Sequence, residues 1–314
     1  MNYLFVTLSL CLLIIAPFFG QMELDVSKIG DFASMEHKLF WDLRVPRVVV
    51  AFFTGALLAL SGLLFQSIFR NPMSTPFTLG VASGATLGTA FAIVFGFVSL
   101  VAFFGFLGAL LTIVILFGIT SRVKAYETST LLLVGIALSF FYSAALMVLF
   151  YLSDETQSYE IVRFTMGSLD VVGFASAIAI VTVSILLLLV AKNYKREIKL
   201  LLTSYENAFL KGVEVKRVNT ILLFCVSVAI GVAVSITGPI GFVGLIVPHI
   251  LKIIYKKSAD KLFVQTFFYG GIFLVFCDLI SRNLNTASDI PIGVVTSFLG
   301  GPFFIYLLVG RKRA

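Results

Sequence analysis

The chain has 314 residues, 59% of them hydrophobic and 12% charged, with a formal net charge of +7. A mean hydropathy of +1.06 is far above what one soluble core can bury, and the apolar residues recur in runs of about 18 to 24 instead of amphipathic stripes, which excludes a soluble globular domain and indicates an integral membrane protein. The basic residues lie in short segments between those runs, with no Lys/Arg stripe on a soluble face, which argues against nucleic acid as a partner.

Hydropathy along the chain predicts an all-α membrane domain of ten spans, at roughly 3–20, 48–69, 77–95, 98–119, 129–152, 171–191, 219–237, 241–255, 262–281 and 292–310. The first run resembles a signal peptide, and "LSLC" at 8–11 loosely resembles a lipoprotein cleavage box. No basic residue precedes it, and Leu10 stands where such a box needs a small residue, so the run reads as a retained span. With the amino terminus in the cytoplasm, 17 of 23 Lys and Arg fall on inner loops and tails, and only Lys28, Lys38, Arg44, Arg47, Arg163 and Arg282 lie at or near the outside. The positive-inside bias therefore puts both termini in the cytoplasm.

Between spans 2 and 3, "RNPMSTP" at 70–76 reads as an inner hairpin: Pro72 and Pro76 stop helices, and Asn71 and Ser74 can satisfy freed backbone groups. Span 3 opens with Gly80, Gly84 and Gly88 on one face, and span 2 carries a matching stripe of Ala51, Gly55, Ala59 and Gly62, followed by Gln66. Small residues at this spacing let helix backbones approach closely. Simple helix packing is one reading; the other is that the two stripes form a pair that also lines a path, with Gln66 as a polar point on it.

The inner segment Lys192 to Asn219 is too long for a minimal turn, and Ser204 is placed to cap a short helix ending near Gly212. A basic juxtamembrane segment held by anionic lipid would have the same charge. "ETSTLLLVG" at 127–135 opens span 5, where Thr128, Ser129 and Thr130 read as helix caps or as small residues of a narrow gate.

Cys11, Cys225 and Cys277 each lie within an apolar run, without paired spacing. His249 has no second ligand at metal spacing in its helix, so no metal site is expected. Asp278 lies well inside span 9 with Arg282 one turn later, which predicts an i,i+4 ion pair; an intramembrane acid can also serve a proton relay. Arg44 and Arg47 lie just before span 2 and Arg282 near the outer end of span 9; Asp42, beside the first two, and Asp278, beside the third, are near enough in sequence to be their local partners.

"RVPR" at 44–47, "GALLALSGLLFQSIFRNPMSTPFTLGVASGA" at 55–85, "GPIGFVGLIVPHI" at 238–250 and "IPIGVVTSFLGGPFFIYLL" at 290–308 together resemble the FecCD/BtuC-type permease family of ATP-binding-cassette importers for iron-siderophores, haem and vitamin B12. The resemblance runs from about residue 40 to the end and keeps the motif order; Gly301 replaces an Ala common in relatives. It implies a single ten-helix permease domain with spans 2–5 and 7–10 as inverted repeats. It also implies a second permease, alike or different, two cytoplasmic ATPase subunits carrying ATP and Mg, and an external substrate-binding protein. On the matching positions, Ser204, Glu206, Asn207, Ala208, Leu210, Gly212 and Val213, within a coupling segment of about 203–217, would seat on the ATPase. Arg44, Arg47 and Arg282 would meet acidic residues of the binding protein, and the start of span 5 would narrow the pathway.

Nothing in the chain would bind a cofactor: it has no Gly-rich loop ending in Gly-Lys-Ser/Thr and no soluble segment large enough for a nucleotide-binding domain. A non-catalytic permease for a ferric siderophore is the reading favoured, with haem or a corrinoid as the alternative cargo. An ion-coupled secondary transporter would rest on Asp278 alone, and an intramembrane enzyme lacks a Ser/His/Asp set or paired carboxylates within the spans.

Overall fold

The computed structural model describes residues 3–22, 24–122, 128–284 and 289–311, and every regular element among them is helical. In chain order the α-helices are α1 (Tyr3–Ile15), α2 (Met35–Lys38), α3 (Val45–Ile68), α4 (Val81–Val94), α5 (Val101–Arg122), α6 (Thr128–Leu152), α7 (Glu155–Thr165), α8 (Ala175–Asn193), α9 (Lys195–Thr203), α10 (Tyr205–Leu210), α11 (Val215–Thr237), α12 (Val243–Tyr255), α13 (Phe263–Asn283) and α14 (Ile292–Arg311). A π-helical turn, Leu39–Arg44, joins α2 to α3.

Each of the ten apolar runs coincides with a helix. Among the described residues six helical stretches, including Met35–Ile68, Val215–Thr237 and Phe263–Asn283, are long and apolar enough to cross a membrane, and four are shorter apolar helices. Two of the short ones share a construction. Helices α4 and α12 have 14 and 13 residues, about 20 Å at 1.5 Å per residue, against a hydrocarbon core of about 30 Å. Each starts directly after a left-handed residue, Gly80 at φ 76° and Phe242 at φ 65°, which breaks the chain out of the preceding irregular turn. Irregular backbone at such depth is tolerated only where protein surrounds it.

The core forms around α3, whose residues from Thr54 to Ile68 are all buried. Its small-residue stripe does not face that of α4, contrary to the expectation that spans 2 and 3 pack as a pair. A Cβ on Gly55 would stand 2.4 Å from the Gly270 carbonyl of α13, and one on Gly62 1.9 Å from the Gly244 carbonyl of α12. On α4, a Cβ at Gly84 or Gly88 would strike Thr112 or the Phe104 carbonyl of α5, and Gly80 packs against Gly135 of α6. The stripes are real close-approach faces directed at different neighbours.

The pairings recur between two halves of the chain. Helix α3 packs on α13 as α11 packs on α5; α4 meets α11 as α12 meets α3; α4 lies on α5 and α6 as α12 lies on α13 and α14. Hydropathy alone misses α7, which is amphipathic, and its signal is a capping box. The Asp154 carboxylate accepts from the Gln157 amide at 2.8 Å while the Gln157 side chain accepts from the Asp154 amide at 3.2 Å. The Gln157 amide group also donates to the Val94 carbonyl at the end of α4.

The contact geometry predicts that Gly62→Val, which forces carbon onto the Gly244 backbone, lowers stability by about 1–3 kcal/mol or more. Gly301→Ala, at a position with nothing within 4 Å of the added carbon, stays within about 0.5 kcal/mol of the parent. Thermal unfolding of the purified chain in lipid nanodiscs checks the difference.

Candidate functional site

Charged side chains collect at the Arg47 end of α3, where short backbone bridges hold the loops together. The turn after α7 donates from Ser168 N to the Thr237 carbonyl at 2.8 Å and from Gly173 N to the Asp42 carbonyl at 2.8 Å, and Gly293 N at the start of α14 donates to the Met166 carbonyl at 3.0 Å. These bonds bring Asp170 and Asp289 over the end of α3.

Asp278, 0% exposed, is the centre of the cluster. Arg47 Nε lies 2.9 Å from its Oδ1 and Arg282 Nε 3.1 Å from its Oδ2. The i,i+4 pair expected of Asp278 and Arg282 is present, and Arg47 joins it from across the fold. Arg47 Nη1 also lies 2.6 Å from both Asp170 and Asp289, and the more exposed Arg163 reaches Asp170 at 3.0 Å. Arg44 does not use its expected neighbour Asp42: its guanidinium donates to the backbone carbonyls of Pro17, Phe18 and Met22. Arg282 donates in the same way to Ala16 and Phe19. Arg44 and Arg282 are 6% and 3% exposed, so in this conformation both are engaged within the chain and clamp the segment after α1. Arg47 lines both neighbouring cavities, of about 280 and 510 Å³.

At the opposite end of α3 the chain turns at Arg70, in the left-handed region at φ 49°. Asn71 then supports the turn, its side chain accepting from Met73 N at 2.9 Å. Arg70 Nε donates to the Leu201 carbonyl of α9 at 2.9 Å, and its guanidinium lies 3.9 Å over the Tyr205 ring. The Tyr205 hydroxyl in turn donates to the Ile68 carbonyl at the end of α3.

This seats α10. Ser204 caps it by accepting from Asn207 N at 2.8 Å, Ala208 and Val213 are buried, and Gly212 at φ 80° reverses the chain. Glu206 and Asn207 are left exposed, and Phe209 and Leu210 stand 73% and 80% exposed at the tip. A cavity of about 750 Å³ beside it is lined by Tyr205, Phe209, Glu214, Asn219 and their neighbours. Sequence reasoning located the capped helix but missed Arg70 and Tyr205, which are joined to it only through space.

Gln66 is 4% exposed and lines neither cavity at the Arg47 end. Its side chain donates to the Gly244 carbonyl at 3.1 Å and accepts from Lys252 Nζ at 2.8 Å, fastening α3 to α12. Gln66 therefore joins α3 to α12 and not to α4, the span expected beside it. Thr128 and Ser129 begin α6, but their side chains, like all of Glu127, lie outside the described residues; Thr130 is half-buried. Among the described residues no group of three or more His, Cys, Asp or Glu side chains could hold a metal ion.

With this geometry in place, comparison with known proteins is decisive at the level of family. The model of the FecCD transport family matches residues 7–310. The chain belongs to that family. Curated relatives include a "Probable iron chelatin transport system permease protein" of Helicobacter pylori, 35% identical over 85% of this chain and 81% of that protein. A vitamin B12 import system permease protein of Vibrio vulnificus is 34% identical, over 99% and 95%. A hemin transport system permease protein of Yersinia pestis is 32% identical, over 88% and 84%. A solved structure described as "An inward-facing conformation of a putative metal-chelate type ABC transporter" superposes with a TM-score of 0.88 at 28% identity, covering 97% of each chain.

For this FecCD-family permease, removing the central carboxylate leaves the buried Arg282 guanidinium without its carboxylate partner and takes one of three from Arg47. Asp278→Asn is expected to cost about 3–5 kcal/mol. Asp170→Asn, at a carboxylate 39% exposed, should cost about 1 kcal/mol or less. Denaturation midpoints of the two variants in nanodiscs test the ranking, and equal losses would refute the central place given to Asp278.

Proposed function

We propose that the chain is the non-catalytic permease subunit of an ATP-binding-cassette importer that carries a ferric siderophore across the bacterial inner membrane into the cytoplasm. The observation that carries the reading is the Ile68 end of α3: a capped short helix, anchored to α3 through Tyr205, that presents bare Phe209 and Leu210. Exposed apolar side chains on a rigid polar-backed knob suit insertion into a groove of a soluble partner. That partner is an ATPase subunit, two per transporter, holding the ATP and Mg.

The matching permease of Helicobacter pylori favours an iron chelate; haem and vitamin B12 are the cargos that the other relatives' names carry. In this reading the Arg47 end faces outward, all ten apolar helices cross or enter the membrane, and both termini are cytoplasmic. The recurring helix pairings support two inverted repeats, α3–α6 and α11–α14. A second permease completes the pathway, with Thr128, Ser129 and Thr130 at its narrow inner end, and membrane lipid surrounds the pair. A substrate-binding protein docks at the Arg47 end. Arg47 meets it through the side that faces the cavities, and Arg44 and Arg282 shape the surface from beneath.

The test is reconstitution with the ATPase and binding protein that co-purify with the chain, followed by uptake into proteoliposomes of radioiron-labelled siderophore and haem and of radiocobalt-labelled cobalamin. ATP-dependent uptake of a ferric siderophore is expected, and uptake of haem or cobalamin alone would reassign the cargo. Gly212→Pro, which cannot adopt the left-handed turn, and Glu206→Lys should each abolish most uptake while leaving hydrolysis and membrane insertion measurable. Normal uptake in both variants would refute the coupling role.

A further inference from the structure

Residues 24–44, which lead into α3, are turned inside out. The polar groups are satisfied within the segment. Asp25 accepts from both the amide and the hydroxyl of Ser27, the Ser34 hydroxyl donates to the Lys28 carbonyl at 2.8 Å and accepts from His37 N at 3.0 Å, and His37 Nδ1 lies 2.7 Å from the Ile29 carbonyl. Its apolar side chains point away: Phe32 is 82% exposed, Met35 75%, Val26 62% and Trp41 44%.

Their rings adjoin one another. Phe32 and His37 have centroids 4.7 Å apart, His37 and Trp41 6.5 Å, and Phe40 bridges Trp41 to Phe18, each at 5.2 Å. Phe18 connects this surface to α1, whose Ile14 and Ile15 are 69% and 48% exposed. Lys28 and Lys38 are interspersed with the apolar groups, as are Asp25, Asp31, Glu36 and Asp42; the Lys28 side chain pairs with Asp25 at 3.3 Å and is still 58% exposed.

We propose that residues 25–44 form an in-plane anchor at the membrane–water interface, with Phe32, Met35 and Trp41 in the acyl–headgroup boundary of lipid that also covers α1. An aromatic cluster flanked by lysines matches the chemistry of that boundary, where apolar rings enter the lipid and ammonium groups reach phosphate. Continuity with the exposed face of a membrane helix selects lipid over a soluble partner. The anchor fixes the π-helical turn leading into Arg44 and Arg47 at a set depth. It rests only on the chain being a membrane protein, and its test needs no transport.

Trp41 is the sole tryptophan, so its fluorescence reports this segment without labelling. In nanodiscs holding the permease alone, lecithin brominated near the carbonyl end of its chains should remove most of the emission. Lecithin brominated near the chain ends should remove less, and aqueous iodide little. Phe32→Ser with Met35→Ser should reduce lipid quenching and raise iodide quenching. As a second probe position, Trp41→Phe with Phe32→Trp should show the same order of quenchers as the parent. Emission quenched by iodide and indifferent to bromolipid overturns the proposal. So does shielding from both quenchers, which would mark a protein contact, or shielding that appears only when the binding protein is added.

Discussion

Everything at both ends of this molecule hangs on one buried helix. Helix α3 is sealed against α12 and α13 by glycine contacts too close for any side chain. It is 24 residues long, about 36 Å at 1.5 Å per residue. In a membrane, close backbone packing of this kind replaces the hydrophobic drive that water supplies to soluble bundles. At one end Arg47 gathers carboxylates from three other parts of the chain, and at the other Ile68 and Arg70 receive α9 and α10. The two polar faces are therefore terminal features of a single rod.

The Arg47 cluster follows from charge balance under burial. A fully buried carboxylate is tolerable only when its charge is paired; Asp278 accepts a hydrogen bond from Arg47 at Oδ1 and has the Arg282 guanidinium in ion-pair contact at Oδ2. Arg44 and Arg282 donate to backbone carbonyls of the turn that follows α1, Pro17, Phe18 and Met22 for Arg44 and Ala16 and Phe19 for Arg282. Arginine suits this work because its rigid fork can serve several acceptors at once. The same cluster thus ties the first helix, which stands outside the two recurring sets of four, onto α3 and α13.

Much of this was legible in the sequence, and the rest was hidden for identifiable reasons. Continuous apolar runs located the ten apolar helices among the described residues, and Ser204 with Gly212 marked the short helix α10, because capping and left-handed turns depend on local residue chemistry. The glycine stripes announced close approach without naming the neighbour, since the partners of Gly55 and Gly62 lie some 200 residues away. For the same reason Arg47 could not be matched to Asp170, Asp278 and Asp289, at separations of 123, 231 and 242 residues. The predicted span from residue 171 takes in the end of the loop that carries Asp170, because Val171, Val172, Phe174 and Ala175 are apolar, whereas α8 starts at Ala175.

Rigid attachment of α10 to α3 is the claim on which the account of energy coupling stands. Electron cryomicroscopy of the permease with its ATPase, with and without nucleotide, tests it directly. The account predicts that Tyr205 keeps its hydroxyl on the Ile68 carbonyl and its ring beneath Arg70 in both states, with α10 and the adjoining end of α3 displaced as one body. An α10 that shifts against a stationary α3, breaking the Tyr205–Ile68 contact in either state, would contradict it.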